Sequence, residues 1–385
     1  MTTVWLCLFV LSVGGAFLMG YRYRPEEAPQ KIDLHRDYMV GLNFLLNEET
    51  DKAVDIFIKM LEVDSDTVET HLAVGKLFRR RGEVDRAIRI HQNLIARPQL
   101  EKTYREQSLY ELGQDYLSAG MLDRAERIFQ ELANDKSHAP AAYKTLLDIY
   151  QQAKDWEKAA ETAIKYEGVT RQNMQPVIAQ YYCELAELAL HKQDHEKALA
   201  YLNQADVADK HCVRASLLRA TVLMATGDYA KALVSLKKVK TQNVDYLYEA
   251  IDKMAVCYEA LGEEDEMMLY LKDLAEAHPR VPVVLILADR IRKRMGDKLA
   301  AGFVADYVRR YPSLQGLYLF VNLYISSAEG RAKDDLHILQ NLMKKILAKR
   351  DDYQCTSCGF SGKTLHWQCP GCRQWSSTLP LASLE

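Results

Sequence analysis

The sequence predicts an all-α protein in which helix pairs repeat to form a superhelical solenoid, with a transmembrane helix before it and a small metal-binding domain after it. Glycine and proline number 18 and 10 of 385 residues, below their usual shares of roughly 7% and 5%, and these residues disfavour helix interiors. Hydrophobic residues make up 48%, enough for a large core. The net charge of −3 argues against a nucleic-acid-binding protein, so no nucleic-acid partner is expected.

Residues 1–21 carry no charged side chain and are predicted to form a transmembrane anchor. Their length is close to the roughly 20 residues that an α-helix needs to cross the hydrocarbon layer. Arg22 and Arg24 follow the apolar run, which places the rest of the chain on the cytoplasmic side by the positive-inside rule. A cleaved signal peptide is the alternative, but it requires basic residues before the apolar core and a small-residue cleavage site after it. Residues 22–36 are then a juxtamembrane linker.

A three-position pattern recurs from Asp37 onward: a small or apolar residue, an alanine-like residue twelve positions later, and usually an apolar residue four positions further on. The seven copies are Gly41, Ala53, Phe57; Gly75, Ala87, His91; Gly113, Ala125, Phe129; Leu147, Ala159, Ala163; Ala186, Ala198, Leu202; Ala220, Ala232, Leu236; and Ala255, Met267, Leu271. The central positions are 34, 38, 34, 39, 34 and 35 residues apart, and a weaker eighth copy centres on Ala301. This period resembles the tetratricopeptide repeat, a helix-turn-helix unit of 34 residues. We therefore expect a repeat solenoid over residues 37–350, whose concave face would hold a peptide or a partner helix.

The predicted solenoid contains no catalytic motif. His191 and His195 stand four residues apart, but the HExxH glutamate is missing, and both are expected in a solvated turn. Phosphate-binding loops and nucleophile elbows are also absent from the sequence. The basic runs at 79–81 and 290–294 are interpreted as solvated helix faces. Cys7 in the anchor and Cys183, Cys212 and Cys257 in repeat helices are interpreted as small buried side chains.

The last segment, residues 351–385, contains two cysteine knuckles. Cys355 and Cys358 form a CxxCG motif, and Cys369 and Cys372 form a CPxCR motif after ten intervening residues. Four thiolates suit a tetrahedral zinc or iron ion and leave no open position for catalysis, so the predicted site is structural. Two disulfides are the alternative, which a reducing cytoplasm opposes. His366 is interpreted as a packing residue rather than a fifth ligand.

The knuckle motifs look like a rubredoxin-type or zinc-ribbon domain, although the spacing between them is shorter than usual, so iron and zinc both stay open. Four aromatic residues lie in this short segment: Tyr353, Phe360, Trp367 and Trp375. They would either build a miniature core or dock the domain. We favour docking against the last repeats.

The order of anchor, repeats and knuckles resembles the lipopolysaccharide assembly protein B family of Gram-negative bacteria. The stretches that carry the resemblance are RDYMVGLNFLLN (36–47), RRGEVDRAIRIHQ (80–92), YQCTSCGF and HWQCPGCRQWS. It implies an adaptor in the cell inner membrane that regulates lipopolysaccharide synthesis. The implied partners are a membrane-anchored ATP-dependent protease of the FtsH type, a deacetylase of the LpxC type that commits material to lipid A, and lipopolysaccharide assembly or transport proteins. It also implies metal ligation by Cys355, Cys358, Cys369 and Cys372, and it leaves the oligomeric state open, a homo-oligomer included.

The sequence leaves three functional classes. The leading hypothesis is a non-enzymatic adaptor. The alternative is a rubredoxin-like electron-transfer protein on a repeat scaffold, which a reversible one-electron couple would reveal. A metal-dependent hydrolase is disfavoured, because four cysteines close the coordination shell.

Overall fold

The computed structural model describes residues 34–47, 52–53, 56, 68–325 and 328–381. The predicted anchor, the linker up to residue 33 and much of the first repeat, with Phe57, lie outside the described residues. None of the helices in the described ranges is long and apolar enough to cross a membrane. The chain divides into two compact units, Met1–Leu132 and Ala133–Glu385.

The first unit is helical throughout its described part. Its helices are α1 Leu34–Leu46, α2 Val68–Arg80, α3 Val84–Ile95, α4 Lys102–Ser118 and α5 Leu122–Leu132. Helices α2 to α5 pack as consecutive antiparallel neighbours, as the short connections between them require.

The second unit is also built of helix pairs and ends in the knuckle domain. Its helices are α6 Ala139–Ala153, α7 Trp156–Thr170, α8 Gln175–His191, α9 His195–Ala208, α10 Val213–Ala225, α11 Tyr229–Gln242, α12 Leu247–Leu261, α13 Glu264–Ala277, α14 Val281–Met295, α15 Asp297–Arg310, α16 Leu314–Ile325 and α17 Arg331–Lys349. Three repeats begin their second helix with the same cap: the side chains of Asp155, Asp194 and Asp228 each accept a hydrogen bond from the backbone N–H three residues on.

The predicted repeat positions lie where paired helices touch. Ala53, Ala87, Ala125, Ala159, Ala198 and Ala232 are fully buried, and Met267 is nearly so. The glycines of two repeats have a steric reason: a Cβ on Gly75 would lie 2.4 Å from His91 Nε2, and one on Gly113 would lie 2.7 Å from Phe129 Cζ. Helices α14 and α15 form the eighth pair around Ala301, and α16 and α17 follow as a further pair. The predicted helical repeat fold is confirmed.

One basic run differs from the expectation. Arg79 does not lie on a solvated face, because its guanidinium bridges Glu111 and Asp115, each at 2.7 Å. Asp115 is fully buried and also bonds to His91 Nδ1. Three helices of the first unit therefore share a buried polar network, which the exposed Arg80 and Arg81 do not join. In the other run, Arg290 is largely buried and pairs with Glu259.

The knuckle domain adds a small antiparallel sheet to an otherwise helical chain. Its strands are β1 Tyr353–Cys355, β2 Ser361–Gly362 and β3 Thr378–Pro380, in the order β2-β1-β3. Tyr353 pairs with Gly362 on one side and with Pro380 on the other. Since α17 ends at Lys349 and β1 begins at Tyr353, only a short connection separates the helices from this domain.

Candidate metal centre

The two knuckles have the same backbone geometry. In each, the N–H of the first cysteine donates to the carbonyl five residues on, from Cys355 to Phe360 at 2.7 Å and from Cys369 to Gln374 at 2.9 Å. The residue after each second cysteine lies in the left-handed region, Gly359 at φ 78° and Arg373 at φ 59°. Such turns direct the two sulfurs of one knuckle to the same side.

The four cysteine sulfurs lie within 4.8 Å of one another. Cys355 Sγ is 3.8 Å from Cys372 Sγ, and Cys358 Sγ is 3.6 Å from Cys369 Sγ. A tetrahedral ion with metal–sulfur bonds of about 2.3 Å requires sulfur–sulfur edges of about 3.8 Å. The four side chains therefore fit a tetrahedral metal ion, as in a zinc ribbon. Zinc and iron both accept this ligand set.

The pKa values of two of the four thiols are shifted in opposite directions. Burial opposes ionisation of Cys355, yet the Ser377 hydroxyl and the amides of Cys358 and Ser357 outweigh it and lower the pKa of this thiol to about 6. The Phe360 amide favours the Cys358 thiolate, but desolvation and the other three sulfurs outweigh it and raise its pKa to about 11. Four thiolates this close need a cation to be ionised together.

Trp375 docks the knuckle domain on the repeats. Its ring meets Trp156 and Tyr181 edge to face, with ring centroids 6.0 and 5.8 Å apart. Its indole N–H donates to Gln151 Oε1 at 3.3 Å, and the Gln368 amide donates to the same oxygen at 3.0 Å. These contacts reach helices α6, α7 and α8.

A second group of contacts lies on later helices. Trp367 stacks on Tyr246 with centroids 5.2 Å apart, and the Arg214 guanidinium lies 5.9 Å from the centre of its ring. Tyr246 donates to the carbonyl of Thr378 at 2.8 Å. Tyr353 donates to Glu249 Oε1 at 2.6 Å, which extends the docked surface to α12.

These side chains form a docking interface, defined here as Tyr353, Trp367, Gln368, Trp375 and Ser376 with the repeat residues they touch. Docking on the repeats agrees with the expectation, but the interface is wider than predicted: besides the seventh repeat, around Ala255, it includes earlier repeats as far back as α6. The ring contacts and hydrogen bonds run to the helices between α6 and α12 rather than to the last pairs. The reason is that the chain returns after α17, so its end meets helices that lie 104 to 224 residues earlier.

Other predicted residues stay outside the centre. Phe360 contacts His366 within the knuckle domain, and His366 does not belong to the cluster of four cysteines. His191 ends α8 and His195 begins α9, at the turn that was expected.

The three cysteines of the second unit's repeat helices are buried. Cys212 caps α10 rather than lying inside it, with its Sγ 3.8 Å from Cys183 Sγ. Cys212 Sγ also accepts from Gln180, whose amide donates to Ser376 of the docking interface. No motif or spacing in the sequence predicts this hydrogen-bonded link from Cys212 through Gln180 to Ser376.

Comparison with known proteins agrees with this architecture. Residues 353–378 match the rubredoxin metal binding domain model, and residues 70–103, 163–211 and 249–280 match tetratricopeptide repeat models. Lipopolysaccharide assembly protein B of Escherichia coli K12 is 36% identical over 384 residues, covering 99% of both chains. The chain belongs to the lipopolysaccharide assembly protein B family. The Haemophilus influenzae member is also 36% identical, over 361 residues and 91% of each chain.

Membership of the lipopolysaccharide assembly protein B family accounts for the pairing of repeats with a knuckle domain. The knuckle match begins at the first residue of β1 and ends at the first residue of β3. It thus covers the four clustered cysteines together with Trp367 and Trp375, so the matched segment includes both the sulfur cluster and the aromatic side chains that dock it.

Proposed function

We propose that the chain is a non-enzymatic adaptor at the inner membrane that regulates lipopolysaccharide biosynthesis. In this proposal it presents an LpxC-type deacetylase to an FtsH-type protease and contacts lipopolysaccharide assembly or transport proteins. The observation that carries it is the docking interface, which joins the metal domain and five repeat helices into one surface. Whole-length identity with proteins named for lipopolysaccharide assembly supports the same role.

Cys355, Cys358, Cys369 and Cys372 would hold one zinc or iron ion. Cys355 and Cys369 are buried. The four thiolates together would fill all four coordination positions of a tetrahedral ion. The ion would therefore supply folding free energy to a domain too small for a core of its own. The chemistry of the donors favours a structural role over a catalytic one.

The N-terminal segment would tether this surface to the membrane. Confinement of an adaptor and a membrane-bound protease to one bilayer raises their effective concentration. The positive charges at Arg22 and Arg24 support a cytoplasmic placement of the repeats.

The test measures the half-life of the deacetylase in a bacterial strain that lacks its own gene for the adaptor and expresses a variant of it instead. We expect Cys358→Ser to lose the metal and to lengthen this half-life, while Lys363→Ser, an exposed change in the same domain, leaves both unchanged. Normal turnover of the deacetylase with the metal lost would contradict the proposal. Metal analysis and voltammetry of the purified full chain distinguish the adaptor from the alternative, an electron-transfer protein. A reversible one-electron couple would favour electron transfer.

A further inference from the structure

The last helix of the array presents an apolar face to solvent. Helix α17 packs on α16 through Leu336 and Met343, which join Val321 and Ile325 in a small cluster. On another side of the helix, Ile338, Leu339, Leu342 and Ile346 are 41 to 60% exposed. Terminal repeats usually carry a polar outer face. Contiguous exposed apolar surface of this kind marks an interaction site.

Charged residues lie at both ends of this face. Asp335 precedes Leu342 by seven residues and Lys349 follows it by seven, and both are exposed. Because seven residues are close to two helical turns, these three positions lie along one line of the helix. Ile338, Leu339 and Ile346 flank the line. We call the six residues the α17 seam.

The α17 seam is complementary to itself in one orientation. A second copy running antiparallel about Leu342 places Ile338 against Ile346 of the other copy. The same operation places Asp335 against Lys349 of the other copy, twice per pair. A parallel arrangement would instead oppose like charges. Spacing of three, four and seven residues is also what a near-antiparallel helix pair requires.

We propose that the α17 seam binds the α17 seam of a second copy of this chain, in an antiparallel two-fold pair. A lipid surface fits less well, because the acidic Asp335 lies in line with the apolar side chains and would be repelled by the anionic headgroups of phosphatidylglycerol. A contact between two single helix faces is small, so we expect the pair to form reversibly. This inference does not depend on the regulatory role proposed above.

Crosslinking at the two-fold axis tests the pair. The full chain carrying Leu342→Cys is reconstituted in vesicles of phosphatidylethanolamine and phosphatidylglycerol and treated with a short bismaleimide. We expect a dimer band for Leu342→Cys. The parent chain and Asn341→Cys are the controls and should give no such band, since Asn341 is exposed but lies about 100° around the helix from Leu342. Equal crosslinking at positions 341 and 342, or none at 342, overturns the proposal.

Charge exchange tests the orientation. Asp335→Lys or Lys349→Asp alone replaces two attractive pairs with two repulsive ones, so we expect about a tenfold loss of crosslinking of Leu342→Cys. The double exchange restores the pairs and should return the yield to the original level. Failure of the double variant to recover refutes the antiparallel seam. Quenching by brominated lipid of a fluorophore at position 342 would assign the face to the membrane and also refute it.

Discussion

Removal of the Trp375 side chain should weaken metal binding, although Trp375 is not a ligand. The ring makes two edge-to-face contacts, with Trp156 and Tyr181, each worth about 0.5 to 1.5 kcal/mol. Its N–H bond to Gln151 adds about 1 kcal/mol. Trp375→Ala therefore costs roughly 2 to 4 kcal/mol of docking free energy.

The loss of docking free energy should lower the metal affinity, because metal binding and folding of the knuckle domain are expected to be coupled. Because metal binding would order the small knuckle domain, docking of the ordered domain would add to the apparent free energy of metal binding. At 1.4 kcal/mol per factor of ten, metal affinity should fall roughly 30-fold to 1,000-fold. Trp375→Phe keeps an aromatic ring but loses the N–H bond, so its metal affinity should fall by only about fivefold.

The assay is competition between the full-length protein and a chelator of known affinity. Lys363→Ala serves as the matched control, since Lys363 is exposed and makes only a long ion pair, 3.8 Å from Asp352. Circular dichroism establishes that the helices remain folded. Metal affinity of Trp375→Ala within threefold of the parent would refute the coupling between docking and the metal centre.

Two further predictions concern the first unit and its packing. Gly75→Ala should destabilise it by about 1 to 3 kcal/mol in urea denaturation, because the new Cβ meets the His91 ring; Gly168→Ala, with no atom within 4 Å, should stabilise the second unit slightly. A neutral result for Gly75→Ala would show that the helix pair is not closely packed there. Burial, and then the charge of Arg97, lower the pKa of His71 to about 4. The unfolded chain takes up this proton near pH 6.5, so stability should fall by roughly 2 to 3 kcal/mol from pH 6.5 to pH 4. Thermal denaturation of His71→Leu should show a smaller decline, and an unchanged decline would assign the pH dependence to other groups.

The repeat core was predictable because helix packing repeats at a fixed period. Positions such as Ala87, Ala125 and Ala159 are small for a local reason, the close approach of two helices that adjoin in sequence. The sulfur cluster was predictable for a similar reason, since each knuckle is a turn of a few residues. The prediction for Arg79 is wrong, because its carboxylate partners lie 32 and 36 residues away and no local pattern distinguishes it from Arg80.

Local and periodic features thus follow from the order of residues alone: the helix pairs, their turns, the four clustered cysteines and the family. The place where Trp375 and Trp367 dock, the link from Cys212 through Gln180 to Ser376, and the open α17 seam depend on how distant segments meet. Those contacts arise from shape and charge complementarity between surfaces formed only after the helices have stacked. A hydrophobic period specifies which face of a helix is buried, but it does not specify which distant side chain covers it.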